Sequence, residues 1–83
     1  MRKNIETVMR AFVLGQYANE KTIHTDGKTL YSYAMPIAKR REGPVMTLTY
    51  FVKDKGPTNT TNTHISGCKR FLRDNGIQFN LFL

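Results

Sequence analysis

The side chains able to carry out chemistry are few in this chain, and they do not converge. His24 and His64 are its only histidines and Cys68 its only cysteine, while the six Asp and Glu are scattered over turns and helix ends. Two histidines without a set of carboxylates around them make a poor metal site, so no metal is expected. A lone cysteine excludes an internal disulfide and any cysteine-based zinc site. Cys68 also falls on the apolar stripe of a helix, where a buried, inert thiol is the expectation rather than a nucleophile. Asp26-Gly27-Lys28 imitates the acidic-x-Lys fragment of some nucleases, but it sits in a turn with no carboxylate-bearing strand before it. His24 is expected at a satisfied sheet position, and His64 in a capping or surface role near a helix start. The chain therefore reads as a binding protein, with no catalytic set and no cofactor.

The cations carry more information. Thirteen Lys and Arg against six Asp and Glu give a formal charge of +7. Such a balance favours an anionic partner: nucleic acid, an acidic protein surface or a phosphorylated small molecule. It excludes imitation of DNA. The densest cluster, Lys39-Arg40-Arg41, follows Tyr31 and Tyr33, so base stacking and phosphate neutralisation are expected from one surface. Lys69, Arg70 and Arg73 fall on the outward side of a second helix. The start of that helix, Thr60-Thr61-Asn62-Thr63, would offer free backbone amides to a phosphate. No helix-turn-helix, zinc-finger or ribonucleoprotein strand signature accompanies these residues.

The elements that must position these residues follow from periodicity. Ile5, Val8, Met9, Phe12 and Val13 form a helical stripe, so a helix is predicted over Asn4–Leu14, capped by Asn4 and stopped by Gly15. Gln16–Lys21 reads as polar linker. Thr22–Thr25 and Thr29–Tyr33 are predicted strands around an Asp26-Gly27 hairpin turn. Pro36 marks a bulge or edge, with Ile37–Arg40 continuing the sheet. Glu42-Gly43-Pro44 is a second turn, and Val45–Val52 is the clearest strand, with Met46, Leu48, Tyr50 and Val52 on one face. After Gly56-Pro57, a second helix points Ile65, Cys68, Phe71 and Leu72 inward and ends at Asn75-Gly76. Alternation of Ile77, Phe79, Leu81 and Leu83 with Gln78 and Asn80 predicts a last strand, able to pack in the monomer or, with slight preference, to pair across a homodimer.

The fold class is thus α+β: an N-terminal helix, a three- to four-stranded, mainly antiparallel sheet, a second helix and a C-terminal strand, forming one domain over 1–83. A chain this short buries only about 60% of the surface it exposes when unfolded, so a modest core is expected. Met1-Arg2-Lys3 leads into no apolar secretory region, and no run approaches the ~20 apolar residues of a membrane span. A cytoplasmic protein is expected.

Two stretches, Leu30-Tyr31-Ser32-Tyr33-Ala34-Met35-Pro36-Ile37-Ala38 and Thr60-Thr61-Asn62-Thr63-His64-Ile65, resemble a pattern in small proteins encoded by bacteriophages. The first helix, with Val8, Phe12 and Gly15, fits the same pattern. The resemblance covers about two thirds of the chain, leaves the terminal strand outside it and transfers no catalytic residue. It implies a phage accessory protein acting inside a bacterium, and that context favours an inhibitor of a host defence or metabolic complex in the manner of an anti-CRISPR. The partner would be a host protein or ribonucleoprotein, met by the basic surface. The alternative from the residues alone is a small nucleic-acid-binding protein using a Tyr/Lys/Arg face.

Overall fold

In the computed structural model, which describes residues 2–82, the chain opens with α1 (Lys3–Leu14) and then builds most of a sheet. The strands are β1 (Ala18–Glu20), β2 (Ile23–Thr25), β3 (Thr29–Ser32), β4 (Met35–Glu42) and β5 (Leu48–Lys53). A short 3-10 turn, Pro44–Met46, separates β4 from β5. Helix α2 (Asn59–Asp74) and strand β6 (Asn80–Phe82) complete it. The α+β class agrees with the sequence reading.

Helix α1 buries the stripe Ile5, Val8, Met9 and Phe12. Gly15 closes it in the left-handed conformation, at φ 71°. Its start differs from expectation: Arg2 is the N-cap without a side-chain bond, and Asn4 lies inside the first turn. Helix α2 is capped by Thr58, whose hydroxyl accepts from the Thr61 amide. The Thr/Asn-rich run forms the first turns of that helix itself. Gly67 brings the two helices close, since a Cβ there would meet Ile5 Cγ2 at 2.9 Å.

The six strands lie in sequence order, antiparallel from β1 to β5, with β6 parallel to β5 across the α2 connection. This corrects the expected three- to four-stranded count. Residues Ala18–Glu20, read as linker, pair with β2 instead. The segment after Pro36 belongs to a separate strand, because the chain reverses at Tyr33-Ala34 between the paired Ser32 and Met35. Both unexpected hairpins place a non-glycine residue at positive φ, Lys21 at 60° and Tyr33 at 57°. Neither carries the glycine signal of a tight turn. The last strand spans Asn80–Phe82 rather than Ile77–Leu83, and it pairs within the monomer; Leu83 lies outside the described residues.

Both helices cover one face of the sheet. Phe12, Ile23, Leu30, Ile37, Ala38, Tyr50, Val52, Ile65, Cys68 and Leu72 form the centre of the core. Phe12 meets Tyr50 edge to face, with centroids 5.8 Å apart. Opposite β3, strand β4 carries a bulge: Leu30 faces Ala38 and Tyr31 faces Pro36, which leaves Ile37 unopposed. Ile37 and Ala38 are accordingly both buried. Beyond this point the alternation of β4 is inverted.

Candidate functional site

The inversion selects which cations look out from the helix-free face. Past the bulge, Ala38 and Arg40 point to the helix side, and Lys39 and Arg41 to the open side. Three consecutive strand residues cannot share a face, so the expected Lys39-Arg40-Arg41 cluster is divided. Arg40 is tucked under the end of α1, with only 13% of its side chain exposed. Its guanidinium would meet a Cβ at Gly15 at 3.1 Å, and it lies 3.7 Å from Glu42. Helix α1 has no basic residue in its last turn. Arg40 places a cation there from the sheet, at the negative end of the helix dipole.

On the open face the register sets aromatic rings among the remaining cations. His24 and Tyr31 are cross-strand partners, and their rings stack with centroids 4.9 Å apart and planes within 13°. Phe51, opposite Lys39, is half-buried beneath Arg41, whose guanidinium lies 5.9 Å from the ring centroid. Lys39 Nζ is 5.9 Å from the centroid of Phe82, which stands beside Lys53. Thr29, Pro36, Thr49, Asn19 and Asn80 fill the other positions. Among the described residues, no strand position on this face is acidic. Rings and cations thus alternate across the sheet without internal neutralisation.

The other expected site residues lie elsewhere. Tyr33 would share a face with Tyr31 in a continuous strand, but the turn carries it away, and its ring sits 6.4 Å from that of His64. Lys69 is held down rather than presented: Nζ donates to the Asp54 carbonyl at 2.9 Å, and 17% of the side chain is exposed. Arg70 pairs with Asp74 at 3.7 Å, and Arg73 lies over Phe79 at 5.6 Å. These belong to the helix side, so the basic charge is split between opposite surfaces. At the start of α2, Thr61 is buried and Asn62 clamps Gly56, accepting from its amide at 2.8 Å and donating to its carbonyl at 3.1 Å. Thr63 donates to the Asn59 carbonyl, which leaves Thr60 alone of this set without such a bond. Of the backbone amides expected to meet an anion, that of Thr61 donates to the Thr58 hydroxyl and that of Asn62 to the Thr58 carbonyl.

His64 is buried, contrary to its expected capping or surface role. Its Nδ1 is 2.7 Å from the Ser32 hydroxyl, which is 3.2 Å from Thr61 Oγ1. A hydroxyl and an imidazole at this distance could serve as nucleophile and base, but both are 1% exposed. The set joins β3 to α2. Burial, and secondarily the charge of Arg2, lower the His64 pKa from 6.5. The unfolded chain therefore takes up a proton first, and stability contributed by neutral His64 is lost as pH falls through 6.5 towards the lower folded value. The melting temperature should decline between about pH 7.5 and 5, and His64→Asn should flatten that decline. An unchanged slope in the variant would show that His64 takes up its proton alike in the folded and unfolded chain. Cys68 agrees with its reading as a core thiol, its pKa pushed up to about 12 by burial.

Phe51, Phe82 and Lys53 were not singled out from the sequence, and His24 was read only as a satisfied sheet position. Alternation could have found Phe51, which falls between the inward Tyr50 and Val52, and Phe82, which occupies the polar side of the last strand. His24 becomes meaningful only beside Tyr31. Among the described residues, no helix is long and apolar enough to cross a membrane. Comparisons of the chain with protein-family models, curated proteins and solved structures find no match.

Proposed function

We propose that this protein is a non-enzymatic binder of single-stranded nucleic acid, and that the open face of its sheet is the binding surface. The observation that carries the proposal is the combination there of His24–Tyr31, Phe51 and Phe82 with Lys39, Arg41 and Lys53, with no acidic strand residue on that face among the described residues. Single strands are bound by this pairing, aromatic rings for the bases and cations for the backbone. A flat sheet does not enter a duplex groove as a helix does, so unpaired bases are the better fit. The role implied by the phage-like motifs, blocking a host defence complex, is compatible with the same surface if the RNA of a ribonucleoprotein is the target.

Fluorescence anisotropy with labelled single strands and duplexes of equal length tests the proposal. Single strands should bind more tightly, with affinity falling as salt rises. Each neutralised phosphate contributes about 0.7 to the logarithmic salt slope for a single strand. Lys39→Met, Arg41→Met and Lys53→Met together should remove about 2 from that slope. Arg40→Met should leave it unchanged while lowering the melting temperature. Equal slopes in the triple variant and the parent would sink the assignment of this face.

A further inference from the structure

We propose that the tip of the β4–β5 ribbon, Pro44-Val45-Met46, is an apolar wedge that stacks on the last base pair where a single strand on the open face runs into duplex. This rests on the open-face reading. The ribbon stands clear of the sheet: β3 last pairs with β4 at Lys39, and β6 pairs with β5 only from Phe51 onward. From Arg40–Tyr50 out to Glu42–Leu48, β4 and β5 form a ladder only with each other, apart from a bond from the Arg40 amide to the Lys28 carbonyl. At its end Val45 is 93% and Met46 97% exposed.

That exposure is built into the loop. The Gly43 amide donates to the Thr47 carbonyl at 2.8 Å, and the Thr47 hydroxyl donates to the Pro44 carbonyl at 2.7 Å. Between these clamps, Val45 and Met46 both stand in the left-handed region, at φ 58° and 56°. A β-branched residue there is an outlier. Strain retained where glycine would relieve it points to a use for the side chains themselves.

The surroundings favour nucleic acid as the occupant. The open side of the ribbon carries Arg41 and is continuous with Lys39 and Phe51. Its one acid, Glu42, faces the other side and lies beside Arg40. Apolar side chains at such tips insert between or against base steps and unstack them.

The test compares the full chain with Val45→Gly/Met46→Gly, in which glycine accepts both positive φ values. The probes are a single-stranded tail alone and the same tail joined to a hairpin duplex, with 2-aminopurine at the junction. The parent should prefer the joined probe by about tenfold, the worth of burying one apolar side chain against the pair, and brighten the 2-aminopurine. The variant should lose both effects while binding the tail alone within about twofold of the parent. Absence of junction preference in the parent, or its persistence in the variant, would overturn the wedge while leaving the open face standing. Failure of both proteins to bind the tail would overturn the open face as well. Binding to phosphatidylcholine–phosphatidylserine vesicles that the variant loses, without junction preference, would make the tip a membrane contact and overturn the proposal.

Discussion

Alanine at both Tyr31 and Phe51 is expected to weaken binding of an unstructured oligonucleotide by at least about 30-fold, since each base stacked on a ring is worth about 1–3 kcal/mol. Both rings are pre-positioned. Tyr31 lies against His24 with nearly parallel planes, and Phe51 is set under Arg41. Neither ring belongs to the buried core. Loss of the Tyr31–His24 pair should cost only about 0.2–1 kcal/mol, so the variant is expected to fold. Tyr31→Phe, which keeps the stacking ring, should bind nearly as well as the parent. Anisotropy titrations at one salt concentration, beside circular-dichroism melts, separate binding from folding. An affinity unchanged in a folded double variant would remove the aromatic half of the site.

Phe12→Ala has the opposite profile. The side chain is fully buried and meets Tyr50 edge to face, so its removal leaves a cavity between α1 and the centre of the sheet. Truncations of this kind cost about 3–5 kcal/mol. A chain of this length has about 4–12 kcal/mol in all. The variant should therefore lose most of its cooperative melting and its near-ultraviolet signal. The contrast with Phe51→Ala is informative, because Phe51 is the neighbour of Tyr50 in β5 and points to the opposite face. One residue along the strand separates a folding defect from a binding defect. A Phe12→Ala protein melting within a few degrees of the parent would contradict the packing of α1 on β5.

What the sequence determined by itself is the set of elements whose burial patterns are local and regular. The stripes of α1 and α2, the inward Leu72 and Cys68, and the parity of Tyr50 and Val52 follow from periods of 3.6 and 2, and the Gly15 stop from glycine's access to positive φ. These periods reflect backbone geometry alone. Tight turns are legible only when a special residue marks them, as at Asp26-Gly27, where Gly27 takes φ 94°. The reversals at Lys21 and Tyr33 had no such mark, because ordinary residues stand at positive φ there, tied by the Lys21 amide to Asn19 Oδ1 and the Tyr33 amide to the Thr22 carbonyl. The clear strand drawn from Val45 begins only at Leu48 for a related reason. Alternation continues through Val45–Thr47, but the chain there closes a loop on its own hydrogen bonds.

Which side chains share the open face was decided by tertiary structure. Aromatic and basic residues were visible as a list, yet their sides depended on one unpaired residue. Without the bulge at Ile37, the alternation set by Ser32 and Met35 would turn Lys39 and Arg41 under the helices and bring Arg40 out. Packing demands that Ile37 and Ala38 both be buried, and no periodic pattern encodes two adjacent inward residues. The same cooperative packing puts both helices on one side, which leaves His24, Tyr31, Phe51 and Phe82, from four different strands, together on the other. A side chain's face is a property of its strand's register against neighbours, and register is set by the whole core at once.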